Sequence, residues 1–165
     1  MAEPLAVTIR PVREDDAPAV WAIAREQGVI ETILALPSDR LQTRVETLQG
    51  LTSDDHWFVA EVEGAVVGLA GLGVGKGRLR HSGRIFLFIA RERQGQGVGS
   101  RLLEALLDVA DNWLLLRRVE LTVFAGNDRA KALYERHGFV VEGLRKLSVI
   151  SEGTLHDEYL MARYR

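Results

Sequence analysis

The sequence of 165 residues contains no cysteine. This absence excludes disulfides, thiolate metal ligands and a cysteine nucleophile. Histidine is also scarce: His56, His81, His137 and His156 stand far apart in the sequence and form no short ligand motif such as H-E-x-x-H. We therefore predict that the protein binds no metal.

A charge excess of one sign and long apolar runs are also missing. The 21 basic and 23 acidic residues are interspersed and give a formal net charge of −2. Nucleic-acid-binding proteins usually carry a one-sided basic patch, so we predict no nucleic-acid partner. No apolar run approaches the ~20 residues of a membrane span, so we predict no membrane partner. The first fifteen residues lack the basic-then-apolar order of a secretory signal, and we expect a cytoplasmic protein.

The sequence does contain alternating strand and helix patterns. Strands are predicted at 5–10, 57–62, 65–72, 84–90, 118–124, 139–150 and 154–163. One helix is predicted to be capped at Asp15, and others are predicted to start at 37–39, at 98 (ending at 114) and at Asn127, the last one closed by Gly138 in the left-handed conformation. The order is β-α-α-β-β-β-α-β-α-β-β. With no linker or repeat, we predict one mixed α/β domain over 1–165.

Two glycine-rich segments are candidates for a phosphate site. The first, 68–77, continues from a strand into a basic segment without a following helix, so we interpret it as a strand end and a mobile connection. The second, QGQGVGS at 94–100, lies between an apolar strand and an amphipathic helix, where free backbone N–H groups favour a diphosphate. It lacks the lysine of a P-loop and the last glycine of a dinucleotide fingerprint. We predict a pyrophosphate-binding loop, with a plain tight turn as the alternative.

A second motif, NDRAKALYERHGF, follows at 127–139. With both motifs the chain resembles the GCN5-related N-acetyltransferase (GNAT) family, whose Q/R-x-x-G-x-G/A motif binds the diphosphate of coenzyme A. The residues that match the two family motifs are Gln94, Gly97 and Gly99, then Asn127, Ala130, Leu133, Tyr134, Gly138 and Phe139. The C-terminal half looks most like the bacterial L-amino-acid N-acetyltransferases.

The resemblance implies a fold, a reaction and a binding site. The fold would be a mixed, mostly antiparallel twisted sheet of about seven strands flanked by four helices. Acetyl-coenzyme A would be the co-substrate, and a primary amine would attack it directly in a ternary complex. Pantetheine would lie in a gap between the fourth and fifth strands, against Leu87, Phe88 and Ile89. The remaining coenzyme contacts would come from Gln94, Gly95, Gln96, Gly97, Val98, Gly99, Ser100, Asn127, Ala130 and Tyr134.

Tyr134 is the implied general acid. A phenol with a pKa of about 10 is protonated at neutral pH and suits a thiolate leaving group whose conjugate thiol has a pKa of about 8.5. Asn127 stands seven residues before Tyr134, on the same helical face. The alternatives are a packing role for Tyr134 and a helix N-cap role for Asn127.

The sequence departs from the family at the start of the fourth strand. Many relatives carry a carboxylate there that accepts the proton of the amine, whereas this chain has Arg84 close to that position. The base is therefore left open between His81, Glu31 and a chain of water molecules. We predict that Arg84 binds the α-carboxylate of an L-amino acid; a solvated arginine is the alternative.

Other functions remain open at this point. They are an N-acetyltransferase for protein N-termini, peptides or lysine side chains, a non-catalytic acyl-coenzyme A-binding module, and another coenzyme A or nucleotide enzyme that shares only the glycine turn. The sequence leaves the oligomeric state open, with a homodimer as one alternative.

Overall fold

The computed structural model describes residues 5–165, and its order of elements is the predicted one. The strands are β1 (Val7–Pro11), β2 (Asp55–Val62), β3 (Ala65–Val74), β4 (Ser82–Ile89), β5 (Arg118–Phe124), β6 (Val140–Ser151) and β7 (Thr154–Tyr164). The helices are α1 (Ala17–Ala24), α2 (Leu41–Gln49), α3 (Val98–Asp108) and α4 (Asp128–Arg136). All seven strands form one sheet in the order β1-β2-β3-β4-β5-β7-β6. The predicted fold class is confirmed.

Helix α3 supplies much of the core because its apolar residues recur every three or four positions. It buries Val98, Leu102, Leu103, Leu106 and Leu107, and it packs against β1, β2, β3 and β4. The helix continues into a π-helical turn at Val109–Trp113, so the predicted extent of 98–114 holds. This packing fixes the start of α3, and with it the glycine loop, at the end of β4.

The predicted cap of the first helix, Asp15, is one residue too early, because Asp16 is the N-cap of α1. Helix α1 begins at Ala17, after a 3-10 turn at Glu14–Asp16. The buried acid is Asp16, which forms an ion pair of 2.7 Å with Arg10 on β1 and accepts a hydrogen bond from the Arg13 backbone N–H. Arg10 holds the pKa of the Asp16 carboxyl below its usual value. This tertiary ion pair selects Asp16 over its neighbour.

The second helix also starts later than predicted. It begins at Leu41 rather than at 37–39, because the Asp39 carboxylate accepts a hydrogen bond from the Leu36 backbone N–H (2.9 Å) and closes a turn instead. The loop before α2 is therefore longer than the sequence pattern indicated.

Glycines of the 68–77 segment lie mostly within β3, which extends to Val74. The interpretation as a strand end is correct, but the strand is two residues longer than predicted. The reason is local packing: a Cβ atom at Gly71 would clash with the Phe86 ring and lie 2.8 Å from the Trp57 indole nitrogen. Glycine here allows two aromatic side chains from the flanking strands to cover β3.

Among the strands of residues 5–165, the only parallel pair is β4 with β5, and it is short. It covers residues 82–84 and 118–120, whereas the adjacent β3–β4 and β5–β7 pairs each run for seven residues. Beyond Arg84 the two strands separate, so the sheet opens at its centre. Within residues 5–165, no helix is both long enough and apolar enough to cross a membrane.

Candidate active site

A cavity of about 1210 Å³ occupies the opening between β4 and β5. Its walls come from α2 and the loop before it, from most of β4 and the end of β5, and from the glycine loop, the start of α3 and α4. A few residues of α1, β2, β3, β6 and β7 complete the lining. Pockets for one small ligand usually measure ~300–1,000 Å³. The cavity is therefore large enough for two substrates at once.

The glycine loop forms one end of the cavity. Gly95 (φ 73°) and Gly97 (φ 85°) adopt the left-handed conformation, and α3 begins directly after Gly97. A Cβ atom built on either glycine would meet no atom within 4 Å, so open space lies over the loop. The first amides of a helix have no partner within the helix, and they face an anion favourably. The loop therefore fits the diphosphate of a coenzyme.

The structure divides the predicted loop residues into two sets. Those that line the cavity are Gln94, Gly95, Gly97, Gly99 and Ser100. The side chains of Gln96 and Val98 do not: Val98 is buried in the core, and the Gln96 amide donates to the Glu92 backbone carbonyl (2.7 Å). These two residues offer only their backbone N–H groups to a ligand.

A hydrogen-bonded bridge connects the loop to its surroundings. The Gln94 side chain donates to the Ile89 carbonyl (3.1 Å) at the end of β4 and accepts from Arg129 (3.0 Å) at the start of α4. One glutamine thus fixes the loop relative to both the strand and the helix that flank the opening.

Strand β4 offers both side chains and free backbone to the cavity. Leu87, Phe88 and Ile89, the residues predicted to contact pantetheine, line it. They lie beyond the β4–β5 pairing, so the backbone groups of β4 that point toward β5 have no strand partner there. A ligand with amide groups, such as pantetheine, can pair with this edge as a strand would.

Helix α4 contributes Asn127, Ala130 and Tyr134 to the cavity wall. The Asn127 carbonyl oxygen accepts a hydrogen bond from the Ala130 N–H (3.2 Å), so its side chain caps the helix. Tyr134 is buried, with its ring 5.8 Å from that of Phe139. Burial alone raises the pKa of Tyr134 well above its usual value, which keeps the phenol protonated at neutral pH.

Arg84 lies at the other end of the cavity, with its side chain exposed. It is in register with Gly73 on β3, and Gly73 is in register with Asp55 on β2. Residues that are directly opposite in a sheet share a face, so Arg84 and Asp55 flank Gly73 on the cavity side. The cavity therefore has a polar end near the start of β4, whereas the glycine loop follows the other end of this strand.

Arg44 on α2 also lines the cavity, although it belongs to no recognisable sequence motif. The side chain is half-buried, and burial lowers the pKa of its guanidinium. Its Nε atom is buried without a hydrogen-bond partner in the described part of the chain. Arg44 is therefore a second cation available to an anionic substrate group.

The two side chains predicted as candidate bases do not reach the cavity. The Glu31 carboxylate accepts a hydrogen bond from the Gly28 N–H (2.6 Å). His81 precedes β4, and its carbonyl accepts from the Arg117 N–H (2.8 Å) at the far end of the sheet. Neither is among the residues that line the cavity, so their placement gives no support to a substrate role.

A carboxylate that the sequence analysis did not select does lie in the wall. Glu158 on β7 is buried and lines the cavity. Residues 5–165 contain no group of three His, Asp or Glu side chains arranged to hold a metal ion.

Comparison with known proteins agrees with this geometry. Residues 29–139 match the Acetyltransferase (GNAT) family. The L-amino acid N-acetyltransferase AaaT of Escherichia coli (strain K12) is 31% identical over 163 residues, which cover 96% of this chain and 98% of AaaT. The phosphinothricin N-acetyltransferase of Alcaligenes faecalis is 29% identical, with 96% of this chain and 82% of that protein covered.

A solved structure shows the same fold. The ribosomal-protein-alanine N-acetyltransferase from Brucella melitensis superposes with a TM-score of 0.84 at 29% identity and covers 96% of this chain and 99% of that one. The fold and the cavity define an acyltransferase that uses acetyl-coenzyme A. The chain belongs to the GNAT family of acetyltransferases.

Proposed function

We propose that the protein transfers the acetyl group of acetyl-coenzyme A to the α-amine of an L-amino acid or a similar small molecule. The observation that carries the proposal is one cavity that joins the glycine loop, the free edge of β4, Tyr134 and the polar end at Arg84. The names of the two full-length relatives, an L-amino acid N-acetyltransferase and a phosphinothricin N-acetyltransferase, support a small acceptor.

The geometry suggests direct attack in a ternary complex. The diphosphate binds the amides at Gly97 to Gly99, and pantetheine pairs with β4 in the gap. The amine nitrogen attacks the thioester carbonyl carbon, and a backbone N–H of β4 near Phe88 stabilises the resulting oxyanion. The carbon–sulfur bond then breaks, and the thiolate takes a proton from the Tyr134 hydroxyl.

Arg84 is proposed to orient the acceptor. A guanidinium binds a carboxylate in a bidentate pair, and this would point the α-amine of an amino acid away from the arginine and toward the thioester. Arg84 forms no ion pair within the described chain, so its charge is free for a ligand.

The orienting role predicts a carboxylate preference that depends on one arginine. In the parent enzyme, changing a free amino acid to its methyl ester should cost ~1.5–3 kcal/mol in kcat/KM, the strength of a charge-assisted hydrogen bond. In Arg84→Ala the same change should cost little. The measurement compares both acceptors in the parent, in Arg84→Ala and in Arg44→Ala.

Arg44→Ala is the matched control, because it removes a cation from the same cavity. If only this variant loses the carboxylate preference, the role belongs to Arg44. Equal rates for acid and ester in the parent would contradict the amino-acid assignment itself.

A thiol-release assay with acetyl-coenzyme A tests the proposed function directly. The acceptors are a panel of L-amino acids, polyamines and peptides with free N-termini, and thiol release above the hydrolysis background is expected with an amino acid. Release only with peptides would assign the enzyme to protein or peptide acetylation. Coenzyme A binding without release for any amine would favour an acyl-coenzyme A-binding module.

A further inference from the structure

Glu158 is one of two charged side chains that are buried in residues 5–165; the other is Asp16. Burying a carboxylate costs free energy unless partners compensate it. Asp16 has full compensation, because both of its oxygens bind Arg10. Glu158 has fewer protein partners than Asp16, which leaves its carboxylate available to a ligand.

Both protein contacts of Glu158 involve the same oxygen. The Ser148 hydroxyl donates to Oε2 (2.9 Å), and Arg145 Nη1 lies 3.7 Å from Oε2, which is beyond hydrogen-bonding distance. Oε1 has no hydrogen-bond partner in the described part of the chain. A carboxylate that lines a cavity with one oxygen unused can accept a hydrogen bond from a ligand.

A distortion of β6 creates this arrangement. The register between β6 and β7 shifts between Arg145 and Val149, and Leu147 there adopts a left-handed conformation (φ 51°), which is strained for a leucine. The Asp157 carboxylate holds the bulge by accepting the Leu147 N–H (2.9 Å). Bulges commonly re-aim a side chain beside an active site, and this one directs Ser148 to Glu158.

The strand register places Glu158 level with Phe88, across the gap between β4 and β5. It is opposite Phe124, the last residue of β5. Arg84 is opposite Glu120, so Phe124 is as far along β5 as Phe88 is along β4, about 13 Å beyond the last paired residues. Glu158 therefore lies on the cavity face of the sheet, across the gap from the part of β4 that is proposed to bind the thioester.

From this placement, we propose that Glu158 binds the ammonium group of the acceptor and takes its proton, in the role that the family assigns to a carboxylate on β4 and that Arg84 cannot fill. The inference depends on the proposed function only in requiring an amine acceptor. One proton moves from the ammonium nitrogen to Oε1, and the neutral amine attacks the thioester carbon to form the new carbon–nitrogen bond. As the carbon–sulfur bond breaks, the thiolate takes the Tyr134 proton, and the second proton that the nitrogen loses passes through solvent to the tyrosinate. The first proton then leaves Glu158 for solvent.

Charged and titratable groups lie on the elements around the cavity. Arg145 on β6 pairs with Glu158 in the strand register, and His156 lies two residues earlier on β7. Arg129 and Tyr134 line the cavity from α4, and Arg84 on β4 lies at its other end. Of these, Arg145 carries the charge nearest to the carboxylate, with its Nη1 atom 3.7 Å from Oε2 of Glu158.

Glu158→Gln tests the proposal, because it keeps the side-chain shape and an oxygen for Ser148 but removes the proton acceptor. With the amine that the parent acetylates best, kcat/KM at pH 7 should fall about tenfold, while the KM for acetyl-coenzyme A stays within a factor of two. The defect should shrink as the pH approaches the pKa of the acceptor amine. It should also shrink with the aminooxy analogue of the acceptor, whose nitrogen is uncharged at pH 7.

The matched control is Glu120→Gln, a carboxylate on the same face of the sheet that does not line the cavity; it should keep parent activity. A defect that is the same at every pH and for both acceptors, or no defect at all, would overturn the proposal. Glu158→Asp decides the matter if the Gln variant fails to fold. A proton-acceptor role predicts that the displaced carboxylate of Asp costs more activity with the amine than with its aminooxy analogue, whereas a packing role predicts the same loss with both.

If the parent acetylates only peptides or polyamines, the amino-acid assignment fails, and the Glu158 experiment is run with that acceptor instead. The two failures are therefore distinguishable. Parent-like kinetics of Glu158→Gln with an accepted amine would remove Glu158 alone.

Discussion

Tyr134→Phe is expected to lower kcat by ~10²–10³-fold, within the range that general acid catalysis contributes. The substitution keeps the buried ring and its edge contact with Phe139 and removes only the hydroxyl. Without the phenolic proton, coenzyme A must leave as a free thiolate. Steady-state kinetics should show little change in the KM for acetyl-coenzyme A, because the lost interaction acts on the leaving group.

The pH profile of the parent provides a second measurement of the same role. Burial raises the pKa of Tyr134, so the phenol stays protonated above pH 10, where an exposed tyrosine would ionise. Ionisation of Tyr134 should therefore not lower the activity of the parent near pH 10. In that range the pH profiles of the parent and of Tyr134→Phe should have the same shape. The control is Tyr164→Phe. The Tyr164 hydroxyl donates to Glu142 on β6, and neither residue lines the cavity. An unchanged kcat for Tyr134→Phe would assign the ring to packing.

Gly97→Asp is expected to raise the KM for acetyl-coenzyme A by ~10²-fold or more while leaving the fold intact. A carboxylate at Gly97 would stand where the loop amides and the diphosphate must meet. Two like charges ~4 Å apart repel by about 4 kcal/mol at an effective dielectric constant of ~20. The fold should tolerate the change, because a Cβ at Gly97 meets no atom within 4 Å and Asp is among the residues that accept positive φ.

Gly97→Asn separates charge from size. Asparagine has nearly the same shape as aspartate and the same tolerance of the left-handed conformation, but it carries no charge. Calorimetry with coenzyme A should show a smaller loss for Asn than for Asp, and the gap between them should narrow at high salt as the repulsion is screened. Parent-like binding by Gly97→Asp would place the diphosphate elsewhere.

The sequence was sufficient for the parts of the site that are local. The glycine loop is followed at once by α3, so its glycines and the free helix amides are neighbours in the chain and can be recognised together. Asn127 to Phe139 form one cap, one helix and one left-handed glycine, all of which depend on residues within a single turn of each other. Local interactions leave a local pattern.

The order of strands and helices along the chain was also predictable, because the alternation of apolar residues and the turns between strands are properties of short segments. The exact start of α1 was not, because an ion pair between Asp16 and Arg10 decides it. The start of α2 failed for a related reason: Asp39 has the residue type of a helix cap but closes a turn with Leu36 instead.

Glu158 and Arg44 could be recognised as charged groups of the cavity wall only from the tertiary structure. Glu158 stands in an unremarkable alternating strand, and its role arises from the bulge in β6 and from the separation of β4 and β5. Arg44 occupies an amphipathic helix in which a solvated arginine is the usual expectation, and only the packing of α2 beside the cavity leaves its Nε without a partner. Burial and the lack of a partner are properties of an assembled environment. The sequence therefore determined the end of the cavity that the glycine loop forms, and the tertiary structure decided which charged groups line the rest of it.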